Sequence, residues 1–270
     1  MNAVLHHDAG IKFIDGSLIN AFEYFLAAYE HNPEVKLILI NSNETNRQYY
    51  IKMMYERYEL DDLKGFENNI IAGHRSMLVK QEYDVVAICA NAHTIKHTKG
   101  ILRTKTIIVI SDRFLDNPDF FFGKDKYNVI YYGEMPFQYK DYQYNLKMLF
   151  DRYKPLPYVN DNIYIHSPRN DDRSFLSEIK LPDKPIIFRD TTHVENFFCN
   201  FSTFVYYHAH KWFDLTPRLM HESYFYGKQI YYFNRWGLKD GSFYRYCDLM
   251  EHGLKNRILN RNDEVVNWLI

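Results

Sequence analysis

Residues 213–233 read FDLTPRLMHESYFYGKQIYYF, a pattern that predicts a helix followed directly by a strand. Thr216 can cap the helix, and Pro217 suits its first position because the N–H that proline lacks is unpaired there in any case. Gly227 can supply the left-handed residue at which a helix ends. We therefore predict a helix over 217–226 with a strand after it.

The first turn of this predicted helix has the chemistry of an anion site. Arg218 stands where free N–H groups and the positive end of the helix dipole favour a phosphate, and Glu222 follows one turn later on the same face. That face suits a nucleotide, with phosphates on the amides and Arg218 and ribose hydroxyls on Glu222. The alternative is a surface helix whose Arg218 and Glu222 form an ordinary ion pair worth about 0.3–0.5 kcal/mol.

Apolar runs alternate with amphipathic helical stretches along the chain, which favours an α/β fold with parallel sheets. The strands predicted in the first half are 2–6, 35–40, 84–90, 106–111 and 128–132, with helices over 17–30, 46–58 and 140–153. The strands predicted in the second half are 162–166, 185–189, 203–208 and 229–233, with helices over 192–199 and 217–226 and one or two more in 246–269.

A proline-rich stretch divides these two series of elements. Pro155 and Pro157 disfavour a helix and favour an extended linker. We therefore predict an N-terminal domain over 1–153, a linker over 154–161 and a C-terminal domain over 162–270. Two Rossmann-like domains facing a central cleft is the expected architecture, with ligands at the carboxyl ends of the strands.

Composition limits the possible functions. The 270 residues are 46% hydrophobic and 25% charged, which is typical of a globular chain, and no apolar run reaches the length of a membrane span. The start, MNAVLHHDAG, lacks the pattern of a secretory signal, so we expect a cytoplasmic protein. A net charge of −1 means that any DNA contact must be local.

Several common enzyme signatures are missing from the sequence. It contains no GxGxxG, GxxxxGK[ST], HExxH, GxSxG or CxxC pattern, which disfavours dehydrogenases, kinases, proteases, lipases and redox enzymes. The three cysteines are widely spaced and resemble neither a zinc site nor a disulfide framework, so we expect buried thiols and no metal site.

The loops after the predicted strands of the second half carry candidate residues for binding the diphosphate of a nucleotide donor. Arginines on successive loops would converge if the sheet is parallel, and guanidinium groups grip a diphosphate well. For Arg169 and Arg189, solvated loop positions are the alternative. The candidates are Ser167, Arg169, Arg189, His210, Asp214, Thr216, Pro217, Arg218 and Glu222.

In the first half, strand 2–6 runs into HHDAG. Either His7 or Asp8 could accept a proton from an acceptor hydroxyl as a general base, and Asp8 is the first choice. The alternative is that Asp8 only caps a turn with Gly10.

The most basic stretch of the chain is HTIKHTKGILRTK, residues 93–105, which contains no acidic residue. A solvated face is the usual explanation of such a run. If it borders an acceptor site it could contact the phosphates of DNA, and binding would then weaken with salt. The candidate acceptor residues are His93, Lys96, Lys99 and Arg103.

The pattern formed by Asp214, Pro217, Arg218, Glu222, Tyr226, Gly227 and Lys228 resembles a motif of bacterial and phage glycosyltransferases with the two-domain GT-B architecture. The resemblance covers about twenty residues, and the rest of the chain supports it through the order of elements. It implies that Arg218 contacts phosphate and that Glu222 contacts the ribose of a nucleotide-sugar donor. The short length and the abundance of Tyr, Phe, Asn and Lys are similar to small enzymes of tailed phages.

The closest analogy is with the enzymes that glycosylate hydroxymethylated cytosine in phage DNA. It implies transfer of glucose or arabinose from a UDP-sugar to 5-hydroxymethylcytosine in double-stranded DNA. No metal or cofactor is obligatory on this view, because arginines can serve where other transferases use a metal. The alternatives are an acceptor that is a surface polysaccharide or small glycoside, and a non-catalytic nucleotide- or DNA-binding module. The sequence makes no prediction of the oligomeric state.

Overall fold

A computed structural model describes residues 1–11, 16–90, 98, 100–111, 127–133, 147–166, 176, 181–188, 197–208, 218–234, 244–245 and 263–270. The fold divides into two units. The first is Met1–Lys154 together with Asn256–Ile270, and the second is Pro155–Lys255. The predicted domains were 1–153 and 162–270, so the two divisions differ in where residues 256–270 belong.

The first unit is built on a six-stranded parallel sheet with the order β3-β2-β1-β4-β5-β6. Its strands are β1 Ala3–His7, β2 Lys36–Ile40, β3 Ile70–Gly73, β4 Glu82–Ala90, β5 Arg103–Ser111 and β6 Asn128–Gly133. This is the strand order of the Rossmann fold. The central strands read as continuous apolar runs, because a parallel sheet is covered on both faces. Strand β3 was not predicted.

Two helices belong to this sheet, α1 over Gly16–Tyr29 and α2 over Glu44–Arg57. They confirm the helices predicted over 17–30 and 46–58, with small shifts at their ends. Helix α1 is buried on all sides between Leu18 and Ala28, not along one stripe only. Helix α2 begins after Asn43, whose side chain accepts a hydrogen bond from the Asn46 N–H at 2.9 Å.

The helix predicted over 140–153 is wrong for residues 147–153, and residues 140–146 lie outside the described part of the chain. Phe150–Arg152 form a single 3₁₀ turn. The backbone N–H of Lys147 donates to Asn20 Oδ1 at 2.8 Å, and that of Leu149 donates to Glu23 Oε2 at 2.7 Å. Side chains of α1 therefore take the N–H groups that a helix would pair internally.

Glu23 is a fully buried carboxylate that ties this segment to both helices. Besides the Leu149 N–H, it accepts hydrogen bonds from the hydroxyls of Tyr58 at 2.6 Å and Tyr153 at 2.7 Å. The Arg57 guanidinium lies 5.6 Å from the Tyr58 ring and 5.3 Å from the Tyr153 ring. These three donors satisfy the buried carboxyl oxygens, as polar side chains in a core require.

The last residues complete the first unit. Residues 263–269 are helical, and Val265, Val266 and Leu269 on this segment are buried. The side-chain amides of Asn2 and Asn32 each donate to the Leu269 carbonyl at 3.0 Å.

The second unit is built on a five-stranded sheet with the order β11-β10-β9-β7-β8. Its strands are β7 Ile163–His166, β8 Ile186–Phe188, β9 Thr203–His208, β10 Gln229–Asn234 and β11 Tyr244–Arg245. Strands β7 to β10 are parallel, and β11 pairs antiparallel with β10. The α/β class predicted for both halves is confirmed. Strand β11 was not predicted.

Helix α3, Arg218–Phe225, connects β9 to β10 and packs on one face of this sheet. That face carries Tyr164, Phe204, Tyr206 and Ile230, which cluster with Met220 of α3. Because β9 and β10 are parallel neighbours, α3 starts at the carboxyl edge of the sheet and runs back toward the amino edge.

The end of α3 is the predicted one. Gly227 has a φ of +68°, the Lys228 N–H donates to the Ser223 carbonyl at 3.0 Å, and the Gly227 N–H donates to the Tyr224 carbonyl at 2.9 Å. This is the Schellman arrangement, in which glycine adopts the left-handed conformation without steric cost. The predicted start at Thr216 and Pro217 lies outside the described residues.

Candidate functional site

Helix α3 differs from an ordinary surface helix, because it buries several polar side chains beside Met220 and partly exposes two aromatic ones. Tyr224 and Phe225 are each 37% exposed. The buried residues include Arg218, His221, Glu222 and Ser223. A surface helix normally places its charges in solvent and its apolar stripe on the core. The buried side of α3 therefore carries polar groups that could bind a ligand, which makes it the candidate site of the second unit.

Arg218 and Glu222 form a buried ion pair on this helix. Arg218 Nε donates to Glu222 Oε1 at 2.7 Å, and the two side chains are only 4% and 2% exposed. The i,i+4 pair of the alternative interpretation therefore exists, but it is not solvated. Each side chain compensates the charge of the other, so the pair brings no net charge to this region.

His221 lies beside this pair and is fully buried. Burial, together with the positive charge of Arg218, lowers the pKa of the His221 imidazole to about 3. The ring is therefore neutral at physiological pH, since protonation would place a second positive charge beside Arg218 without solvent.

Of the nine predicted donor-binding residues, Arg218 and Glu222 are the two that the described chain contains, and the structure brings them together. The others lie outside the described residues: Ser167, Arg169, Arg189, His210, Asp214, Thr216 and Pro217.

In the first unit, Asp8 follows β1 and is 5% exposed. Its carboxylate accepts hydrogen bonds from four donors. These are Ser42 Oγ at 2.5 Å, Tyr50 Oη at 2.5 Å, Asn46 Nδ2 at 2.8 Å and the Gly10 N–H at 2.7 Å. Burial alone would raise the pKa of this carboxyl, but the hydrogen bonds outweigh it and hold the pKa below its usual range.

Through these hydrogen bonds Asp8 connects the end of β1 to the start of α2. The hydrogen bond from the Gly10 N–H closes the turn that we considered as the alternative role of Asp8. A general base works best with a pKa near the operating pH, and a carboxylate held by four donors is a weak proton acceptor. Asp8 as the catalytic base stays a prediction, and its surroundings do not favour it.

His7, the second predicted base, ends β1 and is half-buried. Its Nε2 lies 3.0 Å from the amide nitrogen of Asn41. Asn41 follows β2 with a φ of +60°, the one positive φ of a non-glycine residue in the described part of the chain. Asparagine tolerates this left-handed conformation better than most residues. The sequence patterns did not single out Asn41 or Ser42, although both follow the apolar run of β2 directly, as site residues of parallel sheets do.

The acceptor candidate Arg103 lies at the opposite edge of the same sheet. Ala3 pairs with Val86, and Val86 pairs with Ile107. Arg103 is therefore four residues below this row and His7 four above it, a separation of roughly 26 Å along the strands. The structure does not bring Arg103 to the edge that carries His7 and Asp8. His93, Lys96 and Lys99 lie outside the described residues.

Comparison with protein-family models, with curated proteins and with solved structures finds no match to this chain. In the ranges that the structure covers, no three side chains of His, Cys, Asp or Glu group as metal ligands would. No helix in those ranges combines the length and apolar character needed to cross a membrane.

Proposed function

We propose that this protein is a glycosyltransferase of the GT-B class, which takes a sugar from a nucleotide-diphosphate donor. The particular reaction we propose is transfer of glucose or arabinose from a UDP-sugar to 5-hydroxymethylcytosine in DNA. The observation that carries the proposal is the polar interior face of α3, where Arg218 and Glu222 are buried and paired at the carboxyl edge of a parallel sheet. Two α/β units, one on a parallel sheet and the other on a sheet with four parallel strands, are compatible with this class.

In the proposed site, the first turn of α3 and Arg218 hold the diphosphate, and Glu222 accepts hydrogen bonds from the ribose. Glu222 also fixes the guanidinium through Nε, so Arg218 is pre-oriented before the donor arrives. Negative charge grows on the diphosphate as the sugar leaves, and fixed N–H donors stabilise that charge most when they need not reorganise.

The proposed transfer is a substitution at the anomeric carbon. The hydroxymethyl oxygen of the acceptor forms the new bond to that carbon, and the bond from the carbon to the diphosphate oxygen breaks. UDP leaves with the bonding electron pair, and the hydroxyl proton passes to a base. His7 and Asp8 at the end of β1 are the predicted bases, and the weak basicity of the hydrogen-bonded Asp8 favours His7.

The test is mass spectrometry of hydroxymethylated and unmodified DNA after incubation with UDP-glucose and with UDP-arabinose. We expect a mass increase of one sugar per modified cytosine, in hydroxymethylated DNA alone. Glu222→Gln keeps the size of the side chain and an acceptor for Arg218 but removes the counter-charge, so it should weaken donor binding, and urea denaturation of the variant separates this effect from a loss of stability. Transfer to a glycoside without DNA would contradict 5-hydroxymethylcytosine as the acceptor. UDP binding without transfer to any acceptor would contradict the proposal that the protein is an enzyme.

A further inference from the structure

The second sheet has a topological switch point between β7 and β9. These two strands are parallel neighbours, with Ile163 opposite Thr203 and His166 opposite Tyr206. From β7 the chain passes to β8 on one side, and the later strands β9 and β10 lie on the other side. Connections that leave two adjacent parallel strands in opposite directions open a crevice at their carboxyl ends, where open α/β sheets bind ligands.

His166 is the last residue of β7 and stands at this switch point. Its ring stacks on Tyr206 with a centroid distance of 5.5 Å and an interplanar angle of 21°, and on Phe204 at 6.1 Å and 20°. Its Nδ1 lies 3.4 Å from the hydroxyl of Tyr164. The aromatic face and the hydroxyl together give the imidazole one fixed orientation at the carboxyl edge, with 9% of the residue exposed.

Arg218 lies on the same face of the sheet, toward the same carboxyl edge. Gln229 pairs with Thr203, so Lys228 is level with Ser202 at the amino edge. Tyr206, the partner of His166, is four residues further along β9, about 13 Å up the sheet. The helical run from Arg218 to Phe225 rises about 10 Å, which places Arg218 toward the carboxyl edge as well.

Charge explains why a diphosphate would need a group besides Arg218. Glu222 compensates the Arg218 charge, and the adjacent His221 is neutral at physiological pH. A diphosphate brings at least two negative charges into this region. An imidazole can donate an N–H and can also carry a positive charge, so His166 is suited to bind it.

We propose that His166 binds the diphosphate of the nucleotide donor through its imidazole N–H, at the switch point between β7 and β9. This assignment rests on the proposed function, because it takes the second unit to be the donor-binding one. Three observations support the assignment: His166 stands at the switch point, its ring orientation is fixed, and the charge of Arg218 is already compensated by Glu222.

The test uses the full chain and measures binding of UDP and of inorganic pyrophosphate by calorimetry. His166→Phe keeps an aromatic ring on the stack but removes the N–H groups. We expect it to weaken binding of both probes by about tenfold or more, as the loss of a hydrogen bond to a charged group does. Tyr231→Phe is the matched control, since it removes a hydroxyl from the opposite face of the same sheet, where Tyr231 packs against Ile163, Ile165 and Val205, and it should change affinity by less than about threefold.

Imidazole ¹⁵N NMR provides a readout that is independent of fold stability. The resonances that disappear in His166→Phe belong to His166, and they should shift when UDP is added to the wild-type protein. If wild type binds UDP and His166→Phe binds it equally well, the assignment of His166 is overturned while the donor site stands. If binding depends on His166 but no sugar is transferred, His166 stands and the enzymatic proposal falls. If wild type binds neither probe, both fall.

Discussion

The Arg218 guanidinium and the Glu222 carboxylate meet at 2.7 Å in a place where almost no solvent reaches either side chain. Burying two charges is costly, and the attraction between them offsets that cost only while both are present. The pair is therefore a weak source of stability as a whole, yet each partner is indispensable to the other.

We predict that Glu222→Ala lowers the free energy of unfolding by about 3–5 kcal/mol, because it leaves Arg218 buried without a counter-charge. The double variant Arg218→Met with Glu222→Leu should recover most of this loss, since it removes both charges and keeps the volume. Urea denaturation of the three proteins measures both effects. A loss below about 1 kcal/mol in Glu222→Ala, as for a solvated pair, would contradict the burial.

His221 should make stability depend on pH in a defined window. Its pKa is about 3 in the folded protein and 6.5 in an unfolded chain, so between these values the unfolded state binds a proton that the folded state does not. Stability is therefore full above pH 6.5 and falls as the pH drops toward 3, by roughly 5 kcal/mol at most.

The variant His221→Gln should flatten the fall in stability between pH 6.5 and 4 in denaturation curves recorded across that range. The slope with pH is the diagnostic quantity, because the level at neutral pH also reflects altered packing. Equal slopes in wild type and variant would show that His221 does not carry this effect.

Asp8 should contribute to stability in a second, more acidic window. Its folded pKa is below the ordinary value of 3.8, so the contribution is present above that value and is lost as the pH falls through the folded pKa. Asp8→Asn should cost about 1–3 kcal/mol at neutral pH, because buried donors lose their acceptor. Denaturation at pH 7 and pH 3 measures this, and a cost that is the same at both pH values would contradict the ionised carboxylate.

Lys228 offers a stabilising change. It is 6% exposed, its Nζ finds no hydrogen-bond partner among the described residues, and it lies 5.4 Å from the Phe201 ring. Burial disfavours the charged ammonium and so lowers the pKa of Lys228. Lys228→Met should raise the free energy of unfolding by about 1–3 kcal/mol. Thermal denaturation checks this, with Lys52→Met on the exposed surface of α2 as the control that changes little.

The alternation of apolar runs predicted the α/β class and most strands, because parallel strands buried on both faces leave a strong local signal. The end of α3 was equally local, since Gly227 and the residues around it specify the cap by themselves. Residues 147–153 were not predictable in this way. The N–H groups of Lys147 and Leu149 pair with Asn20 and Glu23, more than 120 residues earlier in the chain, and the local sequence pattern does not indicate that contact.

The candidate site was likewise predictable where its contacts are local in sequence and unpredictable where they are not. Arg218 and Glu222 are one turn apart, so their pairing was foreseeable, but their burial depends on the sheet beneath α3. The four donors around Asp8 come from a turn, a loop and two turns of α2. Their convergence follows from the pairing of β1 with β2, which a strand pattern does not specify.

The contacts of Leu269 with Asn2 and Asn32 bear on how the chain matures in a cell. During synthesis, the first strands and α1 leave the ribosome more than 200 residues before the helical residues 263–269, whose Leu269 carbonyl they contact through Asn2 and Asn32. The first unit therefore cannot complete these contacts until the whole of the second unit, residues 155–255, has been synthesised. The second unit can fold before the packing of the first is finished.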